Sequence, residues 1–296
     1  MKTKIYVDGR ISAPEDAVVS VLDHGFLFGD SVYEVLWWHR GTLIQEREHL
    51  DRLEESGRRL YMDLQYPREA LVDAMHETVA AAEAAADEDA YVRLVVTRGA
   101  GPLGLDFTQV ERRSLVIVVA PANRPTPEKV ERGISVACVD RRRNSVRALD
   151  PGAKTGNYLN NVLALHEARV AGADDAVMLN AAGEVTELTT ANVYAVFGGA
   201  IRTPPLEAGI LKGTTRTRIL GICEAAGIDA TEETLRPADL ARADEIFVSS
   251  SVKGILPIVQ VDGAVVGEGR MGPVTRGIRE RFEAAADAEA AAGAAS

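Results

Sequence analysis

Apolar residues recur along the chain with two periods, one typical of strands and one typical of helices. Val32–Trp38 and Tyr91–Gly99 are rich in β-branched and aromatic residues, which predicts two strands. Glu46–Leu60 carries leucines at the spacing of one helix face, which predicts an amphipathic helix. The pattern therefore indicates mixed α and β structure. Turn signals predict three hairpins, at Asp8-Gly9, Arg40-Gly41 and Asp262-Gly263.

Residues 154–197 combine more structural and chemical signals than any other stretch of the chain. A helical run follows Lys154 and ends at Gly172. Ala176–Leu179 then predicts a short buried strand, and a turn leads through Glu187 to a second strand at Val193–Phe197. Lys154 and Glu187 thus lie on segments that can be neighbours in space. The apolar face of the helix is expected to comprise Leu159, Val162, Leu163, Leu165 and Ala168.

Three prolines within residues 121–127 give the strongest linker signal in the chain. We therefore place an N-terminal domain at 1–120, a linker at 121–130 and a C-terminal domain at 131–283. The alanine- and glutamate-rich tail, residues 284–296, is low in complexity, so we expect it to be disordered.

Composition bounds the kind of protein. The 296 residues are 46% hydrophobic and carry a net charge of -11, which supports a sizeable core and argues against a nucleic-acid partner. No segment predicts a signal peptide or a membrane span. The two cysteines, Cys138 and Cys223, form neither a disulfide framework nor a metal-binding spacing, so no metal is expected. We expect an acidic, soluble, cytoplasmic protein.

Lys154 and Glu187 are the candidate chemical groups of residues 154–197. Lys154 lies among small residues and between apolar segments, in a chain that takes most of its positive charge from arginine. A lysine shielded from water is a nucleophilic amine that can form a Schiff base with an aldehyde. An acid such as Glu187 would suit a pyridine nitrogen, because it keeps the ring protonated as an electron sink. Either residue alone would be weak evidence, since most such groups are solvated.

The motif K-x-G-N-Y-L-N-N, followed by V-T-E-x-x-x-x-N-V, resembles the fold-type IV pyridoxal-phosphate enzymes. That family includes branched-chain aminotransferases, D-amino acid aminotransferases and aminodeoxychorismate lyase, and the resemblance covers roughly Ile5 to Phe282. It implies an α+β protein of two domains, a small N-terminal α/β domain and a larger C-terminal domain with a β-barrel-like core. It also implies that Lys154 holds pyridoxal 5'-phosphate (PLP), that Glu187 pairs with the ring nitrogen and that Tyr158 lies near the ring hydroxyl.

The same resemblance implies a phosphate site. Arg52 stands in H-x-x-R-L at the start of a helix, and a guanidinium matches phosphate oxygens in a fork; the neighbouring His49 we interpret as structural. A second motif, I-L-x-G-x-T-R, precedes another helix, whose first N–H groups can hold an anion. Lys212 in that motif is the rival Schiff-base lysine. The further phosphate contacts implied are Gly213, Thr214, Thr215, Ser250 and Ser251.

Substrate contacts are implied for two segments, the block 23–44 and the strand that begins at Tyr91. In this family Arg93 matches a branched-chain pattern, whereas Arg98 falls where D-amino acid enzymes keep a carboxylate-binding arginine. The sequence leaves open which of the two arginines binds the substrate carboxylate. It also leaves open whether the basic run Arg141–Arg143 forms salt bridges or helps a phosphate site. The implied substrate residues are Phe28, Tyr33, Val35, Trp37, Tyr91, Arg93 and Arg98.

The activity implied is transamination through a Lys154 Schiff base, with amino acid and 2-oxo acid substrates. L-branched-chain amino acids with 2-oxoglutarate are preferred, because the R-x-H loop typical of D-amino acid enzymes is absent after Arg98. Val35 is more typical of D-amino acid or (R)-amine transaminases, which stay as alternatives. Aminodeoxychorismate lyase and a non-catalytic metabolite-binding homologue also stay open. The family further implies a homodimer, with the loop Ala100–Phe107 closing the pocket of the partner subunit.

Overall fold

The computed structural model describes residues 1–85 and 87–293, and the chain divides into two compact units. The first unit comprises Met1–Asn123, Ala153–Asn157 and the segment that starts at Ala286. The second comprises Arg124–Gly152 and Tyr158–Ala285. The first break follows Asn123, inside the residues expected to be a linker, although part of those residues is helical. The five-residue segment that carries Lys154 belongs to the first unit.

One antiparallel sheet of six strands organises the first unit. Its strands are β1 (Lys4–Val7), β2 (Arg10–Ser12), β3 (Ser31–His39), β4 (Thr42–Ile44), β5 (Ala90–Thr97) and β6 (Ser114–Pro121). They lie in the order β2-β1-β6-β5-β3-β4. The helices are α1 (His24–Phe28), α2 (Glu46–Arg59) and α3 (Arg68–Ala81). Apolar side chains of the sheet, including Val32, Leu36 and Leu94, pack with Leu53 and Met75 of the helices as one core.

The predicted hairpin turns are confirmed, and their backbone explains the residue types. Asp8 and Gly9 have φ values of 46° and 96°, and Arg40 and Gly41 have 46° and 87°. Two successive positive φ angles match the twist of the flanking strands, and glycine at the second position adopts such an angle without strain. The third turn, at 262–263, repeats the pattern with 49° and 81°.

The second unit is built on a mixed sheet of nine strands. They are β7 (Ile134–Arg142), β8 (Asp175–Leu179), β9 (Val185–Leu188), β10 (Asn192–Phe197), β11 (Ala200–Thr203), β12 (Ala230–Glu232), β13 (Glu245–Ser250), β14 (Gly254–Val261) and β15 (Ala264–Val265). Its helices are α4 (Pro127–Arg132), α5 (Leu159–Val170), α6 (Thr214–Ala225), α7 (Pro237–Leu240) and α8 (Pro273–Gly293). Eight strands follow the order β12-β11-β10-β13-β14-β7-β8-β9, and β15 pairs with β14.

The nine-stranded sheet curls into a half barrel. Strand β9 ends the sheet, five places from β10 in the strand order, yet only three residues separate the two strands in the chain. The amide of Leu188 donates to the carbonyl of Ala191 across that short connection, at 2.8 Å. A flat sheet would hold the two strands far apart, since neighbouring strands are spaced by about 4.8 Å. The expected α+β fold with a barrel-like core is confirmed.

The expected disordered tail at 284–296 is wrong for its described part. Residues 284–293 continue helix α8, in which Phe282, Ala286 and Ala290 are at most 1% exposed. These residues are four apart, so they form one buried stripe of the helix; residues 294–296 lie outside the described chain. Asp287 adds an ion pair to His39 at 2.8 Å. Within residues 1–85 and 87–293, no helix is long and apolar enough to cross a membrane.

Helix α5 exists as expected, but of its predicted apolar face only Ala168 is fully buried, and Leu165 is half-buried. Leu159 and Val162 are 69% and 58% exposed, whereas Asn161, Ala164 and Ala168 are buried. The larger apolar residues therefore point to solvent in this chain, and small residues pack against β7 and β8.

Candidate active site

Lys154 lies on a segment that extends the edge of β3. The amide of Tyr33 donates to the Lys154 carbonyl at 3.0 Å, and the amide of Gly156 donates to the Ser31 carbonyl at 2.9 Å. Strand β4 pairs only with the far half of β3, so this edge is open to the segment. The amide of Lys154 donates to Ser56 Oγ of helix α2, at 3.0 Å. The backbone at Lys154 is thus fixed to a strand on one side and to a helix on the other.

The Lys154 side chain lies over an aromatic ring that a second cation shares. Its Nζ is 4.6 Å from the centroid of the Tyr33 ring, and Arg93 Cζ is 3.9 Å from the same centroid. Both contacts are cation–π interactions, so the Tyr33 ring binds the Lys154 amine and the Arg93 guanidinium. Lys154 is half-buried, whereas the rival Lys212 is exposed.

The strand register places most of the predicted substrate residues on one face of the first sheet. Val35 is the cross-strand partner of Arg93, and Trp37 is the partner of Tyr91. Side chains alternate along a strand, so these residues and Tyr33 share a face. That face is opposite to the one that packs on α2 and α3. Phe28 is separate, because it lies in helix α1 and is 39% exposed.

Arg98 lies beyond the end of β5 and is bound inside the first unit. Its Nε and Nη2 donate to the Asp30 carboxylate at 2.8 and 3.1 Å. Nη1 donates to the Tyr61 carbonyl at 3.0 Å, and Nη2 donates to the Leu60 carbonyl at 2.9 Å. Four of the five guanidinium donors are therefore used, and the residue is 2% exposed. The structure places Arg98 apart from Arg93.

Arg52 meets a buried carboxylate that sequence reasoning missed. Its Nε and Nη2 each donate to Glu34 at 2.7 Å, one to each carboxylate oxygen. His49 Nδ1 lies 2.6 Å from Glu34 Oε2. Glu34 is completely buried in the middle of β3. A glutamate within the apolar run SVYEVLWW was the available signal, since a buried charge requires a partner.

The contacts among Glu34, Arg52 and His49 determine which of these residues are charged. Burial acts to raise the pKa of Glu34, but Arg52 and His49 outweigh it and lower that pKa to about 2. Burial also lowers the pKa of His49, and it outweighs the attraction of Glu34. Glu34 is therefore a carboxylate and His49 a neutral imidazole at neutral pH, so Nδ1–H of His49 donates to Glu34.

Glu187 is the buried carboxylate of the second unit. Arg143 Nη2 lies 2.5 Å from its Oε1. On the other oxygen, Oε2, the side-chain amide of Asn192 donates at 3.0 Å and the backbone amide of Leu211 donates at 3.2 Å. The Arg143 Nε donates in turn to the Gly209 carbonyl at 3.2 Å. Of the two interpretations left open for the basic run, Arg143 forms a salt bridge, and its partner is Glu187.

Asn192 also connects Glu187 to the start of helix α6. Its Nδ2 donates to the Leu211 carbonyl at 3.1 Å. Its Oδ1 approaches Gly213 so closely that a Cβ built there would lie 2.1 Å away, so only glycine fits at the N-cap of α6. The carboxylate and the helix start are thus held at a fixed spacing within this unit.

The N-terminus of α6 has the features of an anion site. The helix has twelve residues, and its N-cap, Gly213, has no side chain that could cap the first turn. Thr215 Oγ1 is buried there without a hydrogen-bond partner among the described residues. A buried hydroxyl of this kind costs free energy unless a partner occupies the site. Cross-strand pairing of Asn192 with Ser249 places Ser250 and Ser251 at the same end of the sheet as Asn192.

Comparison with known proteins identifies the family. Residues 31–261 match the model of the family described as amino-transferase class IV. The chain belongs to the class IV aminotransferases. It is an enzyme, and the cofactor of this class is PLP. The resemblance that the Lys154 and Glu187 motifs indicated is confirmed.

Relatives of this class IV aminotransferase include branched-chain and D-alanine aminotransferases. A Methanocaldococcus jannaschii protein, provisionally named a branched-chain-amino-acid aminotransferase, is 38% identical over 95% of both chains. A D-alanine aminotransferase of Staphylococcus haemolyticus is 34% identical over 95% of this chain and 96% of that protein. The crystal structure of a Thermoproteus uzoniensis branched-chain aminotransferase with norvaline matches with a TM-score of 0.86, at 34% identity. That match covers 95% of this chain and 93% of the other.

The residues of this aminotransferase fit PLP. The Thr215 hydroxyl has no hydrogen-bond partner among the described residues and lies at a helix start whose N-cap is glycine. Both features suit a phosphate, because its oxygens accept hydrogen bonds from hydroxyl and N–H donors. The half-buried Lys154 amine suits the cofactor aldehyde, and the buried Glu187 carboxylate suits a protonated pyridine nitrogen. The sequence predicted these three groups, but not Arg143 as the partner of Glu187 or Glu34 as the partner of Arg52.

Proposed function

We propose that this class IV aminotransferase transfers the amino group of L-branched-chain amino acids to 2-oxoglutarate. One observation carries the choice of substrate. Arg98, which would bind the carboxylate in a D-amino acid enzyme, is occupied by Asp30 and by two backbone carbonyls. Arg93 instead contacts the same Tyr33 ring as Lys154, and we take it as the group that binds the substrate carboxylate. Arg93 matches the branched-chain pattern.

The surroundings of Arg93 support an apolar substrate side chain. Its neighbours on the same sheet face are Tyr33, Val35, Trp37 and Tyr91, of which Val35 and Tyr91 are half-buried and keep apolar surface exposed. Burying the methyl groups of a leucine or valine substrate against such surface contributes about 0.8 kcal/mol per carbon. An arginine next to apolar surface suits a ligand with one carboxylate and a hydrocarbon tail.

We assign the chemical steps to residues that the motifs and the geometry indicate. When bound, PLP supplies an electron sink that lets the substrate Cα lose its proton. Lys154 Nζ would bind the cofactor at rest and, once released by the substrate amine, would move that proton from the substrate Cα to the former aldehyde carbon of the cofactor. Glu187 would hold the ring nitrogen protonated, and Tyr158 would contact the ring hydroxyl. Arg143 and Asn192 keep the Glu187 carboxylate in place.

The phosphate is proposed to bind to two sets of donors. Arg52 provides a guanidinium, and the start of α6 provides backbone N–H groups and hydroxyls. The buried, unpartnered Thr215 hydroxyl supports the second set. These donors are all neutral or positive, which suits a dianionic group. The residues of the second set are Gly213, Thr214, Thr215, Ser250 and Ser251.

A D-amino acid transaminase is the second candidate, with (R)-amines as related substrates. It is favoured by the 34% identity to a D-alanine aminotransferase and by Val35, which replaces the glycine usual in branched-chain enzymes. This candidate requires another carboxylate anchor than Arg98, because the donors of Arg98 are used within the first unit.

We further propose that the enzyme is a cytoplasmic homodimer. Large apolar side chains are exposed on α5, at Leu159 and Val162, and on the loop 100–107, at Leu103 and Leu105. Exposed pairs of large apolar side chains, such as the one on α5 and the one on the loop, are typical of protein–protein interfaces. The unpaired cysteines suit a reducing compartment. Light scattering coupled to gel filtration should give twice the chain mass of 31.7 kDa, and a monomer would refute the dimer.

Substrate choice is tested by single-turnover absorbance. The PLP-loaded enzyme is mixed with L-leucine and, separately, with D-alanine, and loss of the yellow band of the lysine-bound cofactor is followed. L-leucine should bleach the band at least about a hundredfold faster, because only its geometry uses Arg93 and the apolar face. Bleaching by D-alanine alone would move the enzyme to the second candidate.

A further inference from the structure

Glu34 is placed to control the arginine that the proposed phosphate site depends on. We infer that Glu34 is a positioning residue, which orients the Arg52 guanidinium towards the phosphate of PLP. The inference rests on the proposed phosphate role of Arg52. Glu34 itself is completely buried, so it reaches the cofactor only through Arg52.

The geometry of the pair defines a direction. Glu34 accepts from Nε and Nη2, which form one edge of the planar guanidinium. A guanidinium held along one edge by a carboxylate presents its other N–H donors along fixed directions, away from that carboxylate. Without the fork, the long arginine side chain would sample several rotamers and lose free energy on ordering at a phosphate.

Glu34 is itself held firmly. It lies in the centre of β3, paired across the sheet with Leu94, and His49 donates to its Oε2 at 2.6 Å. Arg52 and His49 are three residues apart on α2, so they lie on the same side of that helix. The Glu34 carboxylate therefore joins β3 to α2 through His49 and Arg52. The carboxylate cannot rotate without breaking its hydrogen bonds to both residues.

The negative charge of Glu34 allows two roles of Arg52 to be distinguished, orientation of its donors and simple attraction of the phosphate by its charge. An anion 2.7 Å from Arg52 cancels much of the field that would attract a phosphate. If only the charge of Arg52 mattered, removal of the carboxylate would strengthen phosphate binding. If orientation matters, removal weakens it. The two accounts therefore predict opposite signs.

The experiment compares two cofactors that differ only in the phosphate. Apoenzyme carrying Glu34→Gln is titrated with PLP and with pyridoxal, and formation of the yellow band gives each dissociation constant. The matched control is Glu55→Gln, which removes the carboxylate of a comparable fork to Arg58 at the surface of α2. Arg52→Gln shows how far the preference for PLP depends on Arg52.

Glu34→Gln should weaken PLP binding about tenfold, the effect of one charge-assisted hydrogen bond, and leave pyridoxal binding unchanged. Glu55→Gln should alter neither constant. An unchanged or increased preference for PLP in Glu34→Gln would overturn the positioning role. If that variant does not fold, Glu34→Asp is read the same way, because its shorter carboxylate keeps the charge and displaces the fork. An Arg52→Gln enzyme with full preference for PLP would overturn the proposed phosphate assignment instead.

Discussion

Each unit of the molecule buries one glutamate against one arginine, but the two pairs are built differently. Both oxygens of Glu34 are used by Arg52, and His49 adds a third donor. Glu187 takes Arg143 on one oxygen and two amide donors on the other. In the first unit, the arginine belongs to the family motif and the glutamate is its support. In the second unit, the glutamate belongs to the motif and the arginine is its support.

The difference shows why a buried ion pair is no indication of function by itself. Each pair compensates the free energy that burial of a charge costs, and loss of one partner would leave the other uncompensated. The role of each residue follows from its surroundings. Arg52 is 10% exposed while Glu34 is 0% exposed, so only the guanidinium can meet a ligand.

Loss of Lys154 should have the largest effect, since both pairs are proposed to serve the cofactor that Lys154 binds. Lys154→Ala should abolish measurable transamination of L-leucine and the yellow band, because no other amine replaces it. Lys212→Ala is the matched control, an exposed lysine that should leave both nearly unchanged. Activity retained by Lys154→Ala would contradict the assignment.

The two glutamates should then respond in opposite ways to the same substitution. Glu187→Gln removes the charge that holds the pyridine proton, so kcat should fall about a hundredfold with little loss of PLP affinity. Glu34→Gln should lower PLP affinity and leave kcat at saturating PLP within about twofold, a loss too small for a group in the chemical step. Stopped-flow kinetics and PLP titration measure both. The same pattern in both variants would remove the distinction between the pairs.

Substitutions of Arg93 and Arg98 should separate a substrate-binding arginine from a structural one. Arg93→Gln should raise the KM for L-leucine at least about tenfold, the loss of a charge-assisted hydrogen bond, with little change in Tm. Arg98→Lys keeps the charge but loses the fork to Asp30, so it should lower Tm and leave KM nearly constant. Steady-state kinetics and thermal melts test the two arginines, and a larger KM effect at Arg98 than at Arg93 would contradict Arg93 as the carboxylate anchor.

Acid stability tests the first pair without cofactor or substrate. Arg52 and His49 hold the pKa of Glu34 at about 2, below its ordinary 4.5, so its stabilising contribution is present above about pH 4.5 and is lost as the pH falls towards 2. The full contribution amounts to roughly 3 kcal/mol. Buried, neutral His49 acts in the same direction, because the unfolded imidazole takes up its proton first. Urea unfolding of Glu34→Gln should depend less on acid than that of Glu55→Gln; equal dependence would contradict this source of stability.

The sequence predicts those parts of the fold that local chemistry decides. Asp8-Gly9 and Arg40-Gly41 predict hairpin turns because glycine adopts the positive φ angle of the second turn position without strain. The leucine spacing of α2 sets its buried side. The tail was predictable in principle, since Phe282, Ala286 and Ala290 repeat every four residues. Short alanine side chains hid that stripe among other alanines.

The site was predictable where a motif carries it and unpredictable where distant residues meet. Lys154 and Glu187 stand in motifs that resemble a known family. Glu34 and Arg52 are 18 positions apart, and their contact depends on how β3 packs against α2, which no local pattern encodes. The exposed apolar residues of α5 could not be predicted for a similar reason. Apolar periodicity predicts that a helix face is covered, but it does not identify the element or subunit that covers it.

The attachment point of the cofactor tests the central claim most directly. The PLP-loaded enzyme is reduced with borohydride, which makes the link to lysine permanent, and is then digested and sequenced by mass spectrometry. The pyridoxyl group should be found on Lys154 in nearly all of the labelled peptide. A label on Lys212, or on no lysine, would contradict the proposed mechanism.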